Sequence, residues 1–337
     1  MDQLREFDTV LSSMSVVEQS MRISPKQIQE MQGKQARLQE IHSSLGWSKP
    51  TVHKKLQEIT WDTTAASRQS RHTAANILQP HAHTSGKNRA GDDSMISDAM
   101  KAHMMSVAEW AVPDRPGRRC VLDVGCGTGL LCQFINQVQV RRNPSPGSKD
   151  SSSSKKQRRP TSNTPSVSNQ NNGDPVLAQA VDVIGVDLSQ EMVKIARANY
   201  PDSVFVHADF LKFSLAQAPP SSPPASGRQE IDSIVFNEVL HNFLDIKAAL
   251  LHAKALLLHG AHHASSSSSS SPEKRIIVSN PKGQAGISKQ HAMNRWLCPS
   301  LLPSEQELRT IAEELHMQML LTPDKQSPHY LAVLAPL

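Results

Sequence analysis

Residues 121–131 read Val-Leu-Asp-Val-Gly-Cys-Gly-Thr-Gly-Leu-Leu, and the reading of this run decides the fold. Val121, Leu122 and Val124 make a short apolar, partly β-branched strand. Gly125, Gly127 and Gly129 follow at alternate positions, and Leu130, Leu131 and Phe134 begin a helical stripe. A helix start reached through a tight turn presents unpaired N–H groups and a partial positive charge to an anionic group. Glycine lets a ligand approach that main chain with no Cβ between. Three alternating glycines are more than a bare turn between strand and helix needs. Their spacing sorts the ligands. A dinucleotide fingerprint needs Gly-x-Gly-x-x-Gly. From Gly125 the sixth position is Leu130, and from Gly127 it is Cys132, so that fingerprint is broken. A phosphate-binding loop needs Gly-Lys-Ser/Thr, whereas Leu130 follows Gly129.

The run Asp123-Val-Gly-Cys-Gly-Thr-Gly129 resembles motif I of the class I S-adenosylmethionine-dependent methyltransferases. The resemblance implies that Asp123, Gly125, Cys126, Gly127 and Gly129 lie at the amino acid end of S-adenosyl-L-methionine. It extends over roughly Cys120 to Leu334, interrupted by polar segments.

At 337 residues the chain has room for one large core or two small ones. Aromatic residues make up only 4%, so the core must be built from Leu, Ile, Val, Ala and Met. Cys120, Cys126, Cys132 and Cys298 form no Cys-x-x-Cys pair and read as reduced thiols, with no metal site implied. No apolar run approaches the ~20 residues that a membrane span requires. The start, Met-Asp-Gln-Leu-Arg-Glu-Phe-Asp, resembles neither a signal peptide nor a presequence, and the expected location is cytoplasmic. Lys155-Lys-Gln-Arg-Arg159 resembles a nuclear-targeting tract, which leaves nuclear import as the alternative. The net charge of +5 sits largely in polar inserts and does not argue for nucleic-acid binding.

The chain divides at about residue 94. Residues 1–94 read as a polar, helical region, with Gln27–Ile41 and Val52–Ile59 at helical spacing and a second segment opening at Trp61. Residues 95–337 read as the cofactor-binding domain, with low-complexity inserts at about 140–178, 216–229 and 260–273. Met95–Ala111 is amphipathic, its methionines filling core. Strands are expected near 121–124, 181–186, 204–207, 231–236, 275–278, 317–321 and 330–334, with helices between most of them. This alternation predicts an α/β fold: a Rossmann-like, doubly wound, mainly parallel seven-stranded sheet with an antiparallel C-terminal hairpin, plus N-terminal helices. All three inserts lead into strands, and ligands of such sheets bind at the opposite, C-terminal edge.

An acid ending the second strand suits the two ribose hydroxyls of a nucleoside and lies about 20 residues past the glycine turn. Asp187, followed by Leu188, ends the run Val183-Ile-Gly-Val but stands 58 residues beyond Gly129. Removing roughly 35–40 residues of the first insert restores the expected interval. The resemblance implies that Asp209 lies beside the adenine amino group and Phe210 beside the ring. It likewise implies that Phe236-Asn-Glu-Val-Leu-His-Asn-Phe243, similar to the Asn-x-x-Leu-His-x-Phe run of relatives acting on small molecules, brings Asn237 to the cofactor. Methyl transfer needs in-line placement of the acceptor, and a base only where the acceptor must lose a proton. His241 is the candidate base, or else a buried helix-cap histidine. Glu238 orients the acceptor, binds the cofactor ammonium or caps a helix. The segment after the fifth strand carries Lys282, Lys289, His291, Arg295 and Trp296, and reads as an acceptor-binding loop for an anionic molecule or as a solvated basic loop. Trp61 and the Met95–Ala111 helix form a lid, or Trp61 is plain core. The function expected is methyl transfer to a small-molecule acceptor. The alternatives are a protein acceptor, a non-catalytic cofactor-binding protein and, least favoured by the glycine spacing, a nicotinamide oxidoreductase.

Overall fold

Seven strands form one sheet in the order β3-β2-β1-β4-β5-β7-β6. They are β1 (Arg119–Val124), β2 (Val181–Asp187), β3 (Val204–His207), β4 (Ser233–Asn237), β5 (Arg275–Asn280), β6 (Met317–Leu321) and β7 (Tyr330–Pro336). The helices are α1 (Asp2–Glu18), α2 (Pro25–Ser44), α3 (Pro50–His72), α4 (Asp98–Ala111), α5 (Leu130–Arg142), α6 (Gln190–Asn199), α7 (Ile246–Leu258), α8 (Gly283–Met293) and α9 (Glu305–Glu314). The computed structural model describes residues 2–18, 25–46, 49–72, 97–114, 118–142, 181–218, 230–259, 274–293, 295, 297–325 and 327–337. Most of the three inserts, the Lys155–Arg159 tract and Trp296 lie outside these. No helix among the described residues is long and apolar enough to cross a membrane.

The first five strands are parallel, as the strand–helix alternation requires. Central β1 is buried along its whole length and pairs with β2 and β4, so it reads as continuous apolar sequence rather than an alternating one. The C-terminal hairpin is antiparallel as expected, but its strands do not add in chain order. β7 inserts between β5 and β6 and is antiparallel to both, which leaves it the one reversed strand. Helices cover both faces. One face packs on Met104, Val107, Phe134, Ile135 and Val193 from α4, α5 and α6. The other packs on Leu250, Leu257, Ile287 and Leu308 from α7, α8 and α9. Phe7, Leu11, Leu38, Ile41 and Leu56 make a separate small core among α1, α2 and α3. The four cysteines are buried thiols, none of them joined in a disulfide.

Three local expectations change. The amphipathic helix begins at Asp98 because Ser97 caps it, its hydroxyl accepting the Met100 N–H, and residues 95 and 96 lie outside the described residues. No break falls at Trp61, since α3 runs unbroken from Pro50 to His72. The segment after β5 is a helix, α8, and not a loop. Gly283 and Gly286 are poor helix formers and Ile287 is its one large buried side chain, so no periodic apolar signal marked it.

Candidate functional site

The C-terminal ends of β1 to β4 and the segment just after β5 open into one cavity of about 810 Å³. The glycine turn forms its floor. Gly125 and Cys126 donate their N–H groups to the Val186 carbonyl at 2.7 and 3.2 Å, which locks the turn to the end of β2. Gly125 has φ +65°, and a Cβ there would lie 2.4 Å from Val239 Cγ2. Gly127 has φ +53°, but a Cβ there would meet nothing within 4 Å. The main chain at Gly127 therefore faces open space. Gly129, expected at the cofactor, does not line the cavity. Its Cβ would lie 2.7 Å from Tyr200 Cδ2, so this glycine serves packing between the turn and α6.

Four carboxyl groups line the strand ends: Asp123, Asp187, Asp209 and Glu238. Asp187 Oδ2 accepts the Gly127 N–H and Oδ1 accepts the Ser189 N–H, both at 2.8 Å. Asp123 is fully buried, and its pKa is pushed up to about 8, first by burial and then by the Asp187 charge. A cation in the cavity would draw Asp123 back toward its charged form. Asp209 Oδ1 accepts the Leu211 N–H at 3.2 Å, and Oδ2 lies 3.3 Å from Lys54 Nζ. The Cys126 thiol lines the cavity and is held neutral by burial. Leu188 and Phe210 also line it, the Phe210 ring standing edge-on to Phe236 and Phe243. Gly127's open main chain and the carboxyl-rich wall fit a cofactor carrying ammonium and sulfonium charge.

The end of β4 supplies Asn237, Glu238 and Val239. Asn237 is fixed through a chain of hydrogen bonds. Its Oδ1 accepts the Ser279 hydroxyl at 2.9 Å, and Ser279 Oγ lies 2.8 Å from His103 Nε2. Because Ser279 gives its proton to Asn237, His103 must be the donor to Ser279. His103 is held neutral, its pKa lowered to about 4 by burial and then by His329. Glu238 has φ +58°, and its N–H donates to the Ser279 carbonyl at 2.9 Å. The other non-glycine residue with positive φ among those described is His316, just past the end of α9. A left-handed non-glycine residue costs on the order of 1–3 kcal/mol and gathers at functional sites.

His241 is not brought to the cavity. It is buried, with Nδ1 3.4 Å from Asn280 Nδ2 and its carbonyl accepting the Ser300 N–H at 3.2 Å. Of its two sequence readings, the geometry matches the buried, hydrogen-bonded histidine. Of the expected basic acceptor loop, only Lys282 lines the cavity. His291 bonds the Cys298 carbonyl at 2.7 Å, Arg295 is exposed away from the cavity, and Trp296 lies outside the described residues. Helix formation in α8 turned His291 away from the cavity.

Sequence reasoning singled out Trp61 but missed how much of α3 roofs the site. His53, Lys54, Gln57 and Trp61 all line the cavity. They recur at the three-to-four-residue spacing of one helix face, a signal present in the sequence. Polar contacts hold α3 down, among them Gln57 Nε2 donating to the Leu297 carbonyl at 3.4 Å. Lys54 pairs with Asp209. His53 Nε2 lies 2.9 Å from the Asn242 carbonyl. Asp62 Oδ1 accepts the Ser189 hydroxyl at 2.6 Å and the Glu191 N–H at 3.2 Å, at the positive N-terminus of α6.

No curated protein sequence matches the chain. Among solved structures, magnesium protoporphyrin IX methyltransferase (ChlM) from Synechocystis PCC 6803 with bound SAH is similar at 14% identity and a TM-score of 0.46, over 85% of this chain and 100% of that one. The plantazolicin methyltransferase BpumL in complex with SAH is similar at 13% identity and a TM-score of 0.43, over 90% of this chain and 98% of that one. A family profile described as a methyltransferase domain matches residues 98–315, from the start of α4 through α9. That span is well over half of the chain, and it contains every strand end that lines the cavity, so the chain belongs to the S-adenosylmethionine-dependent methyltransferases.

Proposed function

We propose that this protein transfers the methyl group of S-adenosylmethionine to a small-molecule acceptor. The cavity carries the reading. At about 810 Å³ it falls in the range of small-molecule sites, and α3 lines it along one side, which narrows the space for a polypeptide or nucleic-acid acceptor. S-adenosylmethionine supplies a methyl group on a cationic sulfur that is already a good leaving group. The chain's own residues then have three tasks. Asp123 and the main chain at Gly125 and Gly127 hold the amino acid end, and the Asp187 lone pairs take the ribose hydroxyls beside Leu188. Asp209 and Phe210 flank the base. Trp61, Gln57 and His53 on α3 exclude water, while Asn237, Glu238 and Phe243 at β4 orient the acceptor against the methyl group. The test is incubation of the protein with methyl-labelled cofactor and fractionated cell extract. Label is expected in the low-molecular-weight fraction, and label confined to protein or nucleic acid overturns the reading. Calorimetry is expected to detect S-adenosylhomocysteine binding and no NAD binding.

A further inference from the structure

We propose that the acceptor is an amine, engaged by the Glu238 carboxylate and bounded by Trp61 and Phe243; this rests on the small-molecule reading above. The argument comes from which charges on the cavity wall are already committed. Asp123 is assigned to the ammonium at the amino acid end of the cofactor. Asp187 accepts two main-chain N–H groups. Asp209 is capped by Leu211 and paired with Lys54. Asp245 caps α7 through the Ala248 N–H at 2.9 Å. Glu238 has none of these commitments, and its carboxylate, half-buried at the cavity wall, has no partner among the described residues. Lys54 is spent on Asp209, and Lys212 and Lys282 line the cavity but are exposed, Lys282 with Nζ 3.4 Å from Gln290 Oε1. The unpaired charge that is half-buried in the wall is therefore negative, and it sits at the end of β4.

Sheet order fixes which ligand meets it. β2 and β3 lie on one side of β1, and their ends carry the acids assigned to the nucleoside. β4 lies on the other side of β1, so Glu238 belongs to the acceptor half. Two aromatic side chains, Trp61 and Phe243, line the same cavity. Trp61 donates its Nε1–H to Gln57 Oε1 at 2.8 Å, which fixes the indole. Phe243 is braced edge-on by Phe210 and Phe236. Aromatic faces and a carboxylate together receive a cation and reject an anion. The anionic acceptor suggested by the basic residues after β5 would meet the half-buried Glu238, with Lys212 and Lys282 exposed on the wall.

The chemistry balances. An amine arriving as ammonium gives one proton to Glu238, which passes it to water. The nitrogen lone pair then forms the C–N bond as the C–S bond breaks, and that electron pair goes to sulfur. The products are a methylammonium, the neutral thioether and one proton.

The test uses calorimetry on the full-length protein saturated with S-adenosylhomocysteine, titrated with alkyl and arylalkyl amines and their matched alcohols and carboxylates. Amines are expected to bind more tightly than their matched partners, and Glu238→Gln to weaken them about tenfold or more, with S-adenosylhomocysteine affinity unchanged. Glu238→Gly is the second variant. It removes the carboxylate while relieving the positive φ, so it is expected to melt no lower than the parent and still to lose amine binding. The proposal is overturned if alcohols or carboxylates bind better than amines, if no amine binds, or if both variants bind amines as the parent does. Failure of the parent protein to bind S-adenosylhomocysteine would instead remove the methyltransferase reading beneath it.

Discussion

The Asp187 carboxylate links the glycine turn to the start of α6 before any ligand arrives, through the N–H groups of Gly127 and Ser189. Asp187→Ala is therefore expected to do two things. It should weaken S-adenosylhomocysteine binding by about 1–3 kcal/mol, the scale for a charged hydrogen bond, and it should also lower the melting temperature. Unchanged affinity in calorimetry would move the ribose site elsewhere. Asp123 gives a pH signature. Its ordinary pKa is 3.8 and its folded value about 8, so between these values the folded chain keeps a proton that the unfolded chain has lost. The contribution to stability thus falls as pH rises through that window and levels off above it. A bound cation favours the charged form, so S-adenosylmethionine affinity should rise between about pH 6 and 8 more steeply than that of S-adenosylhomocysteine. Asp123→Asn should flatten the difference, and equal pH slopes in the parent protein would show that Asp123 does not sense the sulfonium. The sequence led to both aspartates because each closes a strand. It could not separate His241 from Glu238, since both follow β4 within four residues and only the backbone decides which one faces the cavity.

At the scale of elements, α3 is the part of the site that lies outside the matched methyltransferase span. Its hold on the domain depends on a few polar contacts, of which Asp62 at the N-terminus of α6 is the most directional. Asp62→Ala should cost about 1 kcal/mol, the scale of a lost helix cap. Faster amide hydrogen exchange is expected along α3, with α5 and the central strands unchanged. Equal exchange in parent and variant would mean that packing among α1, α2 and α3 holds the roof without Asp62. Helices with a clear apolar stripe or a cap were legible from residue types, as with α6, which Ser189 caps and which buries Met192, Val193 and Ala196. α8 was not, because its glycines and serine read as loop, and its helical form follows from Ile287 packing beneath β5 and from its place in the chain.

For the whole molecule, β2 and β5 begin at the edge of the sheet opposite the cavity, which lies at the strands' C-terminal ends. Replacing residues 261–272 with a short Gly-Ser link should leave the melting temperature and S-adenosylhomocysteine affinity unchanged, because loop closure depends only weakly on length. A clear loss of affinity would tie that segment to the site. Sequence alone determined the α/β class and the seven strands, and the resemblance of residues 123–129 to motif I pointed to the cofactor. Strand alternation and the glycine run are local properties, readable over a few residues. Only the tertiary structure decided what lines the cavity. Lys54 meets Asp209, Asp62 meets Ser189, and β7 slips between β5 and β6 through contacts between distant parts of the chain. The same long-range packing buried His241, turned His291 away and left Glu238 facing the space beyond the glycine turn, where the run from Val121 to Leu131 ends its reach.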